Sequence, residues 1–239
     1  MNIPTSNTPM MQGGGSPSFI QTWINAITKP NEQTYAEIAA SPNAKSTTAF
    51  LWVFIAALIE FFVTFLVQGS TMRQMLEQRG LGQNLPAGGF GGGIIGLICG
   101  APIAAVIAVV FFAINAALVQ WIAKMFGGRG TFDQLAYTFG AIQAPFFLIS
   151  AVLSLLGAIP YVGFCFQIVL SLAGLYILVL TIMAVKGVNQ FGWGPAVGSA
   201  LIPGAVVFLL CCCIVVAGLA LTGAAIGNIF SSINQSLVP

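Results

Sequence analysis

Of the twelve charged side chains in this chain of 239 residues, only Glu60 lies well inside an apolar run. The other eleven (Lys29, Lys45, Arg73, Arg79, Lys124, Arg129, Lys186, Glu32, Glu37, Glu77 and Asp133) fall between such runs or at their edges. A helix that crosses hydrocarbon needs about 20 apolar residues, and this spacing leaves room for several. The composition agrees. Charged residues make up 5% of the chain, against about a quarter in an ordinary soluble domain. With 58% hydrophobic residues and a mean hydropathy of +0.97, the chain cannot clothe itself in polar surface. Nor can so apolar a chain stay disordered. The expected fold class is all-α: a polytopic membrane helix bundle with five transmembrane helices and short interfacial helices, solvated by membrane lipids.

The rare residues exclude most chemistry. No histidine is present and only one aspartate, Asp133. Helical zinc sites use histidine and carboxylate ligands at close spacing, and an aspartyl dyad needs two carboxylates that share a proton. A serine or cysteine nucleophile needs a nearby base. An enzyme, a metal site and a cofactor are therefore not expected. The net charge of +2 is too small and scattered for nucleic acid, which calls for clustered Lys and Arg. Cys99, Cys165, Cys211, Cys212 and Cys213 all fall in apolar segments and read as small apolar fillers.

Along the chain, residues 1–15 are Asn, Thr, Pro, Met and Gly and read as a disordered tail. The first twenty residues carry no basic segment followed by an apolar core, so no cleavable signal peptide is expected. Residues 16–46 should hold two short cytoplasmic helices. The first is capped by Ser16, with Pro17 in its opening turn and Pro30 as its stop. Its apolar residues Phe19, Ile20, Trp23, Ile24 and Ile27 form a helical stripe, suited equally to the membrane interface and to the protein's own helices. The second covers about 32–40 and ends before Ser41-Pro42. The membrane domain, 47–222, carries spans at about 47–68, 94–125, 141–158, 162–185 and 195–221, with bends expected at Pro102 and Pro145. Residues 223–239 should form a C-terminal interfacial helix. Lys29, Lys45, Lys124, Arg129 and Lys186 fall on one side of this topology, and Arg73 and Arg79 on the other. The positive-inside rule then places the N-terminus in the cytoplasm and the C-terminus outside.

Three constellations qualify as candidate sites. Glu60 is the intramembrane acid. Hydrocarbon disfavours its ionised form, so it should donate a hydrogen bond to Asn115, Gln143 or Gln167. Gly88, Gly92, Gly96 and Gly100, continued by Ala104, place a small residue at every fourth position. Such a face lets helix backbones approach closely, within the monomer or in a homo-oligomer or partner contact. Gly91-Gly92-Gly93-Ile94-Ile95-Gly96 matches a dinucleotide-binding pattern, but no strand precedes it and no acidic residue follows about 20 positions on. The third is an elbow of Gly128, Arg129, Gly130, Thr131, Asp133 and Gln134. Thr131 and Gln134 there have the spacing of a capping box, and a segment over 132–141 should lie along the interface before Pro145 turns the chain into the membrane.

The stretch Phe126-Gly127-Gly128-Arg129-Gly130-Thr131-Phe132-Asp133-Gln134, followed by Ala144-Pro145, resembles the segment between the second and third spans of the Yip1-domain family. The order of Trp23, Pro30, a short helix, a span and a Gly-rich connection is similar too, as is Lys186 with the 187–195 connection. The resemblance covers roughly residues 17–222. It implies five spans, a cytoplasmic N-terminus and no known enzymatic activity. Eukaryotic members are associated with small GTPases and vesicle traffic. This chain has no Asp-Leu-Tyr-Gly-Pro-type motif in its N-terminal segment, so the resemblance does not carry a small-GTPase partner to it; it is closer to prokaryotic members of the cytoplasmic membrane. The expected function is non-enzymatic binding or organisation of other membrane components through helix faces. The alternative is a small-solute or proton transporter or channel using Glu60.

Overall fold

A computed structural model describes residues 18–78, 94–157, 163–206, 209, 212, 213 and 215–218, and all regular structure among them is helical. Two short helices, α1 (Phe19–Thr28) and α2 (Glu32–Ala39), precede four long ones. These are α3 (Ser46–Gln78), α4 (Ile94–Met125), α5 (Phe132–Gly157) and α6 (Gly163–Asn189). A further helix, α7, covers 193–206, and the described residues beyond it are also helical. Among the described residues four segments are long and apolar enough to cross a membrane: Ser46–Val67, Ile98–Met125, Phe132–Gly157 and Ile168–Asn189.

The packing is that of a chain dissolved in oil. On α3 the buried residues are Ala49, Val53, Ala56 and Ala57, one stripe at helical spacing, while Leu51, Ile55, Ile59, Phe62 and Leu66 stand exposed. α4 repeats this, with Ala101 and Ala105 buried and Ile103, Val106, Val110 and Phe111 outside. Lipid gives no hydrophobic drive between helices, so small residues take the contacts and large ones face the tails. α5 is the central helix, buried without interruption from Leu135 to Ile142. Its tightest neighbour is α3: a Cβ added at Gly140 would meet the Ala49 Cβ at 2.8 Å.

One end of the bundle carries α1, α2, the connection between α4 and α5, and the junction of α6 with α7. Asn31 caps α2 by accepting from the Thr34 N–H at 2.7 Å. The Tyr35 hydroxyl donates to the Ala26 carbonyl at 2.7 Å, tying α2 to the end of α1. Burial, reinforced by Tyr176, pushes the Tyr35 phenol above the ordinary tyrosine range. Tyr176 of α6 holds α1 from beneath through the Ile27 carbonyl, at 2.7 Å. Lys186 pairs with Glu32 at 2.6 Å and lies 4.4 Å from the Trp193 ring centre, so α2, α6 and α7 meet at one ammonium.

Several expectations change. α1 starts at Phe19 with Ser18 at its cap, whereas Ser16 and Pro17 lie outside the described residues. Its apolar stripe is divided: Thr22 and Ala26 are buried and Trp23 and Ile27 half-buried, but Phe19, Ile20 and Ile24 are open. No break separates an interfacial 132–141 segment from a span beginning at 141; α5 is one helix with Pro145 inside it. A proline removes one backbone hydrogen bond from a helix interior. Here Ala144, Pro145 and Phe146 are all buried, and the Gly140 contact with α3 lies just one turn before. Packing on both sides of the proline keeps the helix continuous. Pro102 likewise sits inside α4. Cys99, Cys165, Cys212 and Cys213 are free and exposed on the helix surfaces rather than filling the interior. The tail 1–15 and the segment 223–239 lie outside the described residues.

Candidate functional site

The elbow is where glycine is required by contact. Gly127 ends α4 in the left-handed region, φ 83°, where a side chain would be strained. At Gly128 an added Cβ would meet Asn189 Oδ1 at 2.5 Å and the Ala123 carbonyl oxygen at 2.8 Å. At Gly130 it would meet Val188 Cγ1 at 2.6 Å and the Val188 carbonyl oxygen at 2.8 Å. The connection is thus wrapped onto the last turn of α6, and Asn189 is the post it wraps around. Asn189 Oδ1 accepts from the Gly130 N–H at 3.2 Å and from Gln120 Nε2 at 3.1 Å. Gln120 Nε2 also donates to the Gly130 carbonyl at 2.7 Å. Asn189 Nδ2 donates to the Val185 carbonyl at 3.2 Å and to Gln120 Oε1 at 3.4 Å, while the Asn189 carbonyl accepts from the Arg129 N–H at 3.2 Å. Gln120 and Asn189 are both buried. A buried amide is tolerable when its donors and acceptors are satisfied, and here they close a ring.

Thr131 and Gln134 make both bonds of a capping box, at 3.3 Å and 3.0 Å. Asp133 does something the sequence did not suggest. Its Oδ1 accepts from the Ser46 N–H at 3.1 Å, so the first turn of α5 caps the start of α3. Arg129 and Asp133 are exposed. The elbow residues consequently serve the closure of one bundle end.

Glu60 is joined to neither Asn115 nor Gln143. Its Oε1 accepts from the Ser150 hydroxyl at 2.8 Å, a link between α3 and α5 in place of the expected Asn115 or Gln143. Gln167 lies on α6, Gly163–Asn189. Of the small-residue face, Gly88 and Gly92 lie outside the described residues, and Gly96 lies in α4. At Gly100 an added Cβ would sit 3.3 Å from the Phe65 ring, so this part of the face is covered by α3 of the same chain. The fully buried stripe of α4 is one residue on, at Ala101 and Ala105, with Ala104 half-buried.

Asn115 and Gln143 do come together. Both line a cleft of about 560 Å³ together with Phe61, Phe111, Phe112 and Phe147 and with Pro203 and Gly204 of α7. Asn115 is ten residues before the end of α4 at Met125, and Gln143 is eleven after the start of α5 at Phe132. At about 1.5 Å per residue both stand about 15 Å from that end of the bundle, half the thickness of a hydrocarbon core. Among the described residues neither amide has a hydrogen-bond partner in the protein. The cleft thus offers two amides without partners, able to donate and accept, beside a wall that is otherwise aromatic and aliphatic.

Neither a curated protein nor a solved structure matches this chain. A family model does: the Yip1 domain, over residues 24–215. That range begins inside α1, takes in the elbow, the cleft and α7, and ends within the helical residues that follow α7. With its order of short helices and apolar helices, and a match over most of its length, the chain is a multi-pass membrane protein that belongs to the Yip1 domain family.

Proposed function

We propose that this protein is a non-enzymatic binder of other membrane components, and that the mid-depth cleft between α3, α4, α5 and α7 is where it holds them. The observation that carries this reading is the pair Asn115 and Gln143, facing one cleft without partners from the described residues. In hydrocarbon each unmade hydrogen bond costs several kcal/mol, so such amides favour a component with an apolar body and one or two hydrogen-bonding groups. Glu60 is engaged by Ser150, which favours a helix-linking role for it over ion coupling. The proposed topology has five crossings, with α7 and the helical residues after it as the fifth. Lys29, Lys45, Lys124, Arg129 and Lys186 all belong to the α1–α2 end, which supports a cytoplasmic N-terminus and an outside C-terminus; the prokaryotic cytoplasmic membrane stays part of the proposal on the resemblance alone.

The test is a comparison of wild type with the double variant Asn115→Leu, Gln143→Leu, each purified from membranes in mild detergent. Mass spectrometry of the extracted lipids and of the accompanying polypeptides should find a component on the wild type that the variant lacks. Identical material on both, with both folded, would remove the cleft from the function.

A further inference from the structure

A second pocket, of about 310 Å³, lies at the α1–α2 end and is built differently from the cleft. Its walls are Phe19, Trp52 and Tyr137; its polar lining is Asn43, Lys45 and Thr48. The aromatic side is rigid. Trp52 and Tyr137 meet at a tilt with ring centres 4.9 Å apart, and Trp23 braces Trp52 edge-on at 5.7 Å. The polar side is open. Among the described residues the Lys45 ammonium has no carboxylate partner, and the Asn43 amide and Thr48 hydroxyl have no side-chain hydrogen bond. The nearby acid, Asp133, is taken by Ser46.

An ammonium, an amide and a hydroxyl converge on one small volume, and all three can donate. The complementary ligand is an anion with several acceptor oxygens, and a phosphate meets that need with lysine as the point charge. The level of the pocket decides its source. Lys45 immediately precedes the apolar span that starts at Ser46, and α1 beside it leaves Phe19, Ile20 and Ile24 about half exposed. Tryptophan and tyrosine at such a level mark the headgroup zone of a bilayer. We infer that this pocket binds the phosphate of an anionic glycerophospholipid, with Lys45, Asn43 and Thr48 on the headgroup and Phe19 and Trp52 beside the glycerol and upper acyl chains. The inference is independent of the mid-depth cleft, since the two share no residue.

The experiment uses the full chain in nanodiscs of dioleoylphosphatidylcholine doped with dioleoylphosphatidylglycerol, with retained lipid counted by native mass spectrometry. Wild type should retain the anionic lipid at least fivefold over its share of the bilayer. Lys45→Gln should bring that enrichment close to one, Thr48→Val should lower it in part, and Lys45→Arg should keep most of it. Lys29→Gln, which removes an equal charge from the same end outside the pocket, should leave it unchanged. Equal losses in Lys45→Gln and Lys29→Gln would reduce the effect to general surface charge and overturn the proposal. So would enrichment that survives Lys45→Gln, or release of the lipid by millimolar glycerol phosphate, which would assign the pocket to a soluble phosphate compound. Melting curves of each variant in the same nanodiscs, unchanged from wild type, show that retention and not folding is being read.

Discussion

Two pairs of amides sit in this bundle, and they have opposite surroundings. Gln120 and Asn189, at the elbow, are buried and bonded to each other, to Gly130 and to Val185. Asn115 and Gln143, at mid-depth, share a cleft and bond to no described residue. The side chains are chemically the same, so the difference lies in what the fold has done with them. At the elbow the glycines admit the backbone to within bonding distance, and the polar groups are consumed in closing the structure. At the cleft phenylalanines line the space between the helices, and the amides have no partner among the described residues. The elbow amides are buried and satisfied internally, which makes them structural; Asn115 is exposed and Gln143 half-buried, and the proposed function gives these two a ligand instead.

The largest effect that would break this comparison is steric. Gly130→Val should place carbon into the Val188 backbone and lower stability by about 3 kcal/mol, as overpacking does when the neighbour cannot yield. Melting in detergent reads it; a variant that melts like wild type would mean that the elbow is looser than the contacts require. Asn189→Leu comes next. It leaves the Gly130 N–H and one side of Gln120 buried without partners, and each such group costs about 1–3 kcal/mol. The same measurement on Gln120→Leu should give a smaller loss, because Asn189 then keeps its bonds to Gly130 and Val185.

Smaller effects sharpen the picture at α1 and α2. Tyr35→Phe orphans the Ala26 carbonyl and should cost about 1 kcal/mol. Because burial raises the folded-state pKa of this phenol above its unfolded value, its contribution is complete below about pH 10 and fades as the pH climbs beyond that. The melting temperature of wild type should therefore fall more steeply above pH 10 than that of Tyr35→Phe; parallel curves would remove Tyr35 as the cause. Smallest of all is Lys186→Gln. Glu32 is half exposed, so the pair should contribute no more than about 1 kcal/mol, read as faster hydrogen exchange in α2 with little change in the melt.

What the sequence made legible follows from range. Local signals were sound: α4 begins at Ile94 and ends at Met125 as its apolar run indicates, α2 stops before Ser41-Pro42, and Thr131 and Gln134 cap as their spacing requires. The family could be read in the elbow because its glycines are demanded by one geometry. Contacts between distant residues were not legible. Asn189 is 69 residues from Gln120, and nothing local distinguishes its amide from that of Asn115. Glu60 was visible as an intramembrane acid, but Ser150, 90 residues on, is one hydroxyl among many. Pro145 misled because the cost of a proline depends on whether neighbours hold the helix on either side, which only the packing of α5 against α3 decides. A usable clue did exist for Gln120, a lone amide in the last apolar turns of α4 just before a glycine-rich link.

The central claim is that the cleft amides do not serve the fold, and a single melting experiment addresses it. Wild type, the double variant Asn115→Leu, Gln143→Leu, and Gln120→Leu are heated side by side in the same detergent after lipid exchange. The account predicts that the double variant melts at or above the wild-type temperature while Gln120→Leu melts several degrees lower. A double variant that falls as far as Gln120→Leu would show that Asn115 and Gln143 hold the bundle together, and the cleft would then be packing rather than a binding site.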